Sequence, residues 1–207
     1  MRDIVAVVLA AGESRRMGFP KALLPLGSGT FLDQILNTLQ ESGLSEPMVV
    51  IGAHARHIQP ALARRPVRVV TNPDYEKGQL SSVKRALENM GPDVRGCLLW
   101  PVDHPTVSRD LVEKLIQLFL DAKPLLALPV YEGRRGHPAI LSPALFQEIL
   151  DTPTEAGMKG VVQRHQDAIA LLPTGESSVA HDIDTPEDFL KLTGETLEAA
   201  LARAHKL

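Results

Sequence analysis

The chain has 207 residues, 44% of them apolar, enough to bury the core of one α/β domain over residues 1–207. A formal net charge of −3, a pI near 6.2 and the lack of any Lys/Arg-rich block or aromatic-interleaved basic stripe exclude a general pull toward polymeric nucleic acid. Cys97 is the only cysteine, which rules out an intramolecular disulfide and a cysteine-based zinc site and fits a reducing, cytoplasmic setting. No apolar run reaches the roughly 20 residues of a membrane helix, so no membrane partner is expected.

Ile4 to Leu9 is a run of β-formers and is predicted as the first core strand. The apolar stretch to Ala11 is too short for a signal peptide, follows Asp3 and lacks a polar cleavage region. It ends in a loop, Leu9-Ala-Ala-Gly-Glu-Ser-Arg-Arg-Met-Gly-Phe-Pro-Lys21, that places glycine and cations where ligands sit in open α/β sheets. Gly12 and Gly18 allow close backbone approach, and Arg15, Arg16 and Lys21 supply positive charge for a triphosphate. Two glycine fingerprints fail. Gly18 is followed by Phe19 and Pro20 rather than Lys-Ser/Thr, so the segment is not a P-loop. Pro20 and Pro25 forbid the long helix that a dinucleotide fingerprint opens, which disfavours a nicotinamide-dependent oxidoreductase.

Thr30 with Asp33 forms a capping-box pattern, and Phe31, Leu32, Ile35, Leu36 and Leu39 make the apolar face of the helix it starts. Further strands are predicted near Met48 to Ile51, Val67 to Thr71, Cys97 to Trp100 and Leu125 to Val130. Helices are predicted over Ser81 to Asn89, Arg109 to Ala122 and Pro143 to Leu150. Ala139 to Leu141 is expected to pair antiparallel at the far end of the sheet, Ala168 to Leu172 to add an edge, and 193–207 to form a terminal helix. Alternating strands and helices imply a mostly parallel sheet covered on both faces, a three-layer α/β/α, Rossmann-like fold.

Two carboxylate segments follow the strands. Cys97-Leu-Leu-Trp-Pro-Val-Asp103-His-Pro105 is a buried-type strand that delivers Asp103 just past its end, and magnesium is commonly held by one or two carboxylates plus phosphate oxygens. His104 is expected to line the site or cap a turn. In His181-Asp-Ile-Asp-Thr-Pro-Glu-Asp188, an extended backbone puts Asp182 and Asp184 on one face, where their repulsion asks for a cation. Thr185, Pro186 and Asp188 start a helix. The turn-rich Asn72-Pro73 segment leads through Gly78 to Ser81 and Ser82 at a helix start, which offers N–H groups to an anion or base edge or simply caps the helix.

The pattern Ala-Ala-Gly-x-Ser-x-Arg-Met-Gly-x-x-Lys resembles the signature loop of nucleotidyltransferases of the molybdenum cofactor cytidylyltransferase type, and the later segments match in order as far as Phe189. The resemblance implies the nucleotide-diphospho-sugar transferase fold and a magnesium-dependent transfer of CMP from CTP to the terminal phosphate of molybdopterin cofactor. It implies catalytic roles for Lys21, Arg15 and Asp103, and nucleotide contacts from Leu9, Ala10, Ala11, Gly12, Met17, Gly18, Lys21, Gly78, Ser81, Ser82 and Asp103. It further implies acceptor contacts from Arg135, Gly136, His137 and Asp182, and Mg²⁺ on Asp103 and Asp184. A molybdoenzyme is an implied partner. Ala11 favours CTP, since guanylyl-transferring relatives tend to carry glycine there. The segment Glu155 to Gly160 departs from the family pattern and leaves the acceptor open. The alternatives are transfer to another phosphorylated metabolite, or a non-catalytic nucleotide-binding accessory protein.

Overall fold

In the computed structural model, which describes residues 4–204, β1 (Ile4–Ala10) runs through the glycine loop into a two-stranded ribbon, β2 (Pro25–Leu26) and β3 (Gly29–Thr30). Next come α1 (Phe31–Glu41), β4 (Met48–Ile51), α2 (Ala55–Leu62), β5 (Arg68–Thr71), α3 (Gln79–Leu87), β6 (Gly96–Pro101) and α4 (Arg109–Ala122). The chain continues with β7 (Leu126–Tyr131), β8 (Arg134–Arg135), β9 (Ala139–Leu141), α5 (Phe146–Asp151), α6 (Gly157–Arg164), β10 (Ile169–Pro173), α7 (Pro186–Thr193) and α8 (Leu197–Ala204).

The main sheet has the order β10-β7-β9-β6-β1-β4-β5, with β8 paired to β7 off this path. β1 lies parallel to β4 and β6, and β7 lies parallel to β10. Side chains alternate across the sheet: Ala6, Val8 and Ala10 join the core under α1, α2 and α4, whereas Val7 and Leu9 join the opposite core under α3, α5 and α6. This is the three-layer α/β/α fold with a mostly parallel sheet. β9 is antiparallel, but it lies between β6 and β7 rather than at the far end. Its Ala-Ile-Leu run is buried throughout, so it is suited to an interior position. The edge belongs to β10.

The capping box of Thr30 and Asp33 starts α1. α3 begins two residues before Ser81, because Gly78, at φ +92°, turns the chain directly into it. The terminal helix begins at Leu197 rather than residue 193, since Gly194 in the left-handed region ends α7; residues 205–207 lie outside the described residues. Met17, Leu24, Phe31, Phe189, Leu197 and Ala200 form a third apolar cluster, in which the Phe31 and Phe189 rings stack 6.2 Å apart. The C-terminal helices are thereby fastened to the glycine loop. No helix among the described residues is long and apolar enough to cross a membrane.

Topology places the site. The chain builds outward from β1 through β4 to β5, then returns across β1 to lay down β6. Leu9 sits in register with Pro101, so the loop after β1 and the loop after β6 emerge together at the carboxyl end of the sheet, at a switch point.

Candidate functional site

A cavity of about 380 Å³ occupies this switch point, with the end of β1 as its floor and Lys21, Asp103 and Asp184 on its wall. Gly12 lines it with ordinary backbone geometry, and a Cβ built there would meet nothing within 4 Å. Glycine at this position therefore leaves open room beside the backbone rather than serving a turn. Ser14 holds the loop closed: its carbonyl accepts from Met17 and Gly18, and its hydroxyl accepts from the Lys21 amide at 3.1 Å. His54, from the turn before α2, braces the loop through the Glu13 carbonyl at 2.9 Å.

Lys21 is the electrostatic centre. Its side chain is only 11% exposed, and its ammonium donates to Asp103 Oδ2 at 3.0 Å and to Asp184 Oδ1. Arg16 donates to the other Asp184 oxygen at 2.6 Å. Asp103 and Asp184 come from different loops, joined by the Ile183 amide donating to the Asp103 carbonyl at 3.0 Å. Asp188 caps α7 and accepts from the Asp184 and Thr185 amides, which fixes the backbone that carries Asp184.

Beside this centre, His104 is buried with both ring nitrogens facing acceptors: Nδ1 lies 2.9 Å from the Ser178 carbonyl and Nε2 lies 3.1 Å from Asp182. Both bonds form together only if both nitrogens carry protons. Burial opposes that charge, but the Asp182 hydrogen bond and the Asp103 charge outweigh it and hold the imidazole above the usual histidine range. His137 is the opposite case. Burial first, and the neighbouring His104 second, lower it to about 4, and its buried Nδ1 has no hydrogen-bond partner among the described residues.

Residues 6–169 match the family model described as the MobA-like NTP transferase domain. The chain belongs to this family. A curated relative, "Molybdenum cofactor cytidylyltransferase" of Escherichia coli (strain K12), is 31% identical over 192 residues, covering 92% of this chain and 95% of the relative. Another, "Nicotine blue oxidoreductase" of Paenarthrobacter nicotinovorans, is 27% identical over 198 residues, covering 91% of this chain and 96% of the relative. Relatives of this chain thus carry names from two reaction classes. Among solved structures, Rv0371c from Mycobacterium tuberculosis H37Rv superposes with a TM-score of 0.83 at 28% identity, covering 93% of this chain and 98% of that one. Its complex with manganese gives 0.79 at 26% identity, over 94% and 100% of the two chains.

In this MobA-like domain the residues singled out from sequence fall into distinct places. Leu9, Ala10, Ala11, Gly12, Lys21, Gly78, Ser82, Asp103 and Asp184 line the cavity. Met17 points instead into the third apolar cluster, and Gly18 serves the turn at φ +72°. Ser81 is turned inward: its hydroxyl donates toward the Gly78 and Asp74 carbonyls and accepts from Asn72, so it shapes the turn before α3. Arg15 also lines the cavity, on its exposed rim and paired with Glu13 at 2.9 Å, while Arg16 lines it and reaches Asp184. The signature pattern itself carries its arginine at position 16, and that spacing was the available signal. Gly136 packs against residue 179, Arg135 is exposed on β8, and His137 and Asp182 meet at His104. Tyr75, Glu76 and Gln79 also line the cavity and were not singled out; a turn-rich loop gives no sign of which side chains face inward.

The donor set suits a hard divalent cation. Asp103 and Asp184 are close enough to share one ammonium, and two carboxylates with phosphate oxygens satisfy magnesium or manganese. Among the described residues no group of three or more His, Cys, Asp or Glu side chains is arranged to hold a metal. The fit is therefore to an ion that brings other oxygen ligands with it.

Proposed function

We propose that this domain is a Mg²⁺-dependent nucleotidyltransferase that moves CMP from CTP to the terminal phosphate of molybdopterin cofactor and releases pyrophosphate. The observation that carries the reading is Lys21 held by Asp103 and Asp184 beside the open backbone at Gly12, a cation and two carboxylates where a triphosphate can lie on the strand ends. Lys21 and the loop amides bind and orient the phosphates, and Arg16 balances the acidic wall. Asp103 and Asp184 would hold the magnesium ion, which when bound neutralises phosphate charge. An oxygen of the acceptor phosphate bonds to the α-phosphorus, the bond from that phosphorus to the bridging oxygen breaks, and the electron pair leaves with pyrophosphate. No side-chain nucleophile is needed, and no strong base, because the attacking phosphate is already an anion near neutral pH.

The names of the relatives support the acceptor, and Ala11, buried at the cavity floor, supports the base. The reading does not extend to a molybdoenzyme partner. Pyrophosphate release from each nucleoside triphosphate, with Mg²⁺ or Mn²⁺ and with or without molybdopterin cofactor, tests it. CTP should be preferred, and Ala11→Gly should narrow the gap to GTP. Preference for GTP overturns the cytidylyl assignment, and release only with a different phosphorylated metabolite overturns the acceptor.

A further inference from the structure

His104 follows Asp103 just past the end of β6, is only 2% exposed and does not line the nucleotide cavity. A buried imidazole needs partners for its nitrogens, and here both come from the segment between β10 and α7: the Ser178 carbonyl for Nδ1 and Asp182 Oδ1 for Nε2. The stitching continues along that segment. Asp182 meets the His104 ring, the Ile183 amide donates to the Asp103 carbonyl, and Asp184 accepts from Lys21, the same lysine that binds Asp103. His104 is itself held in place, since its carbonyl accepts from the buried Trp100 indole at 2.9 Å and its ring packs on His137. The two Asp103 oxygens are turned to different neighbours, Oδ1 toward His104 Nε2 at 3.9 Å and Oδ2 toward Lys21 at 3.0 Å.

We propose that His104 is a positioning residue: by binding Asp182 it sets the spacing of Asp103 and Asp184, and with it the seat of the divalent ion that accompanies the nucleoside triphosphate. The inference rests on the nucleotidyl-transfer reading and deepens it. Two carboxylates from separate loops can share an ion only while the loops keep their spacing, and magnesium tolerates little drift in its oxygen distances. Hydrogen bonds made behind the ligands commonly supply that constraint. Asp188 fixes the Asp184 amide and Arg16 takes its second oxygen, but these bonds do not tie Asp184 to the strand end that carries Asp103. The Ile183 amide ties backbone to backbone, and the His104 ring adds a side-chain tie that spans the segment from Ser178 to Asp182. The Asp182 side chain is 59% exposed, so its contribution lies in this bond rather than in packing.

The test uses the full chain and measures CTP binding by calorimetry, once with EDTA and once with Mn²⁺; the ratio of the two affinities is the gain that the ion brings. His104→Leu and Asp182→Ala should each cut this gain by about tenfold and leave the affinity in EDTA unchanged, whereas a general disturbance of the site would lower both. Asp182→Asn keeps an acceptor oxygen for His104 Nε2 and should lose much less than Asp182→Ala. The double variant His104→Leu/Asp182→Ala should lose little more than either single change, because both remove one bond. Asp182 is on the surface, so its two variants test the bond even where His104→Leu does not fold. An undiminished gain in Asp182→Ala, or equal losses in Asp182→Asn and Asp182→Ala, overturns the positioning role while leaving the metal on Asp103 and Asp184. If Mn²⁺ brings the wild type no gain at all, the metal reading of those two carboxylates falls, and the role of His104 falls with it.

Discussion

The imidazoles of His104 and His137 lie with ring centroids 5.1 Å apart and planes tilted by 52°, and their surroundings push them in opposite directions, His104 toward the charged form and His137 toward the neutral one. His104 has an acceptor at each nitrogen, whereas His137 has a buried Nδ1 with none among the described residues. The charge on the first helps keep the second neutral.

This pair makes stability depend on pH in a definite sense. His137 titrates at about 4 in the folded chain and at its ordinary 6.5 when unfolded, so between those values the unfolded chain binds a proton that the folded chain refuses. Its contribution therefore falls as pH drops through that window. His104, with a raised pKa, works the other way: its contribution is complete below the unfolded value and is lost as pH rises through the folded one. Replacing His137 by Leu should shrink the loss of urea-unfolding stability between about pH 7 and about pH 5. Identical pH slopes in the two proteins would remove His137 as a neutral buried base.

Lys21 should couple stability to nucleotide binding. A side chain 11% exposed between two carboxylates cannot be removed without leaving those carboxylates facing each other, Asp184 with Arg16 and Asp103 with only His104 at 3.9 Å. Lys21→Ala should weaken CTP binding, slow turnover and destabilise the fold by about 1–3 kcal/mol. Calorimetric titration and thermal melts measure the effects separately. Unchanged CTP affinity would take Lys21 out of the nucleotide site.

How far this was legible depends on whether a signal is local. Capping boxes at Thr30 and Thr185, apolar helical faces and buried strand runs are written in adjacent residues, and those elements stand where expected. α2 escaped because Pro60 lies within it, and α6 because its Gly157 and Gly160 weaken any helical pattern. The position of β9 depends on which distant strands flank it. Asp103 and Asp184 are each visible as strand-end or helix-start carboxylates, but their meeting at Lys21 is a tertiary fact. A lysine in a loop reads as exposed, and only the packed structure reveals it as largely covered.

The two carboxylates should not be equivalent. Asp103→Asn should cut turnover by on the order of a hundredfold while CTP affinity falls far less, because a lost charge stabiliser acts on the transition state. Asp184 is also anchored by Arg16, and an asparagine there retains one acceptor oxygen, so Asp184→Asn should be milder. Magnesium-dependent pyrophosphate release decides the matter. Full activity in Asp103→Asn would falsify its assignment as a metal ligand.

Two glycines should fail in opposite ways. A Cβ at Gly136 would lie 2.2 Å from the Val179 carbonyl oxygen, so Gly136→Ala must push apart two backbone segments and should cost about 1–3 kcal/mol in a thermal melt. Gly12→Ala meets no atom within 4 Å and should melt like the wild type, yet bind CTP more weakly because the methyl group stands in the nucleotide cavity. A destabilised Gly12→Ala would contradict this account of why glycine is there.

The Phe31–Phe189 stack sets an order of assembly during synthesis. The glycine loop and Lys21 leave the ribosome 163 residues before Asp184, and the aromatic ring that covers Phe31 follows Asp184. Until then Met17 and Phe31 are without their apolar cover and Lys21 is without one of its two carboxylates. A nascent chain would expose a sticky loop, and ribosome-stalled chains ending before Asp184 should recruit chaperones without retaining CTP.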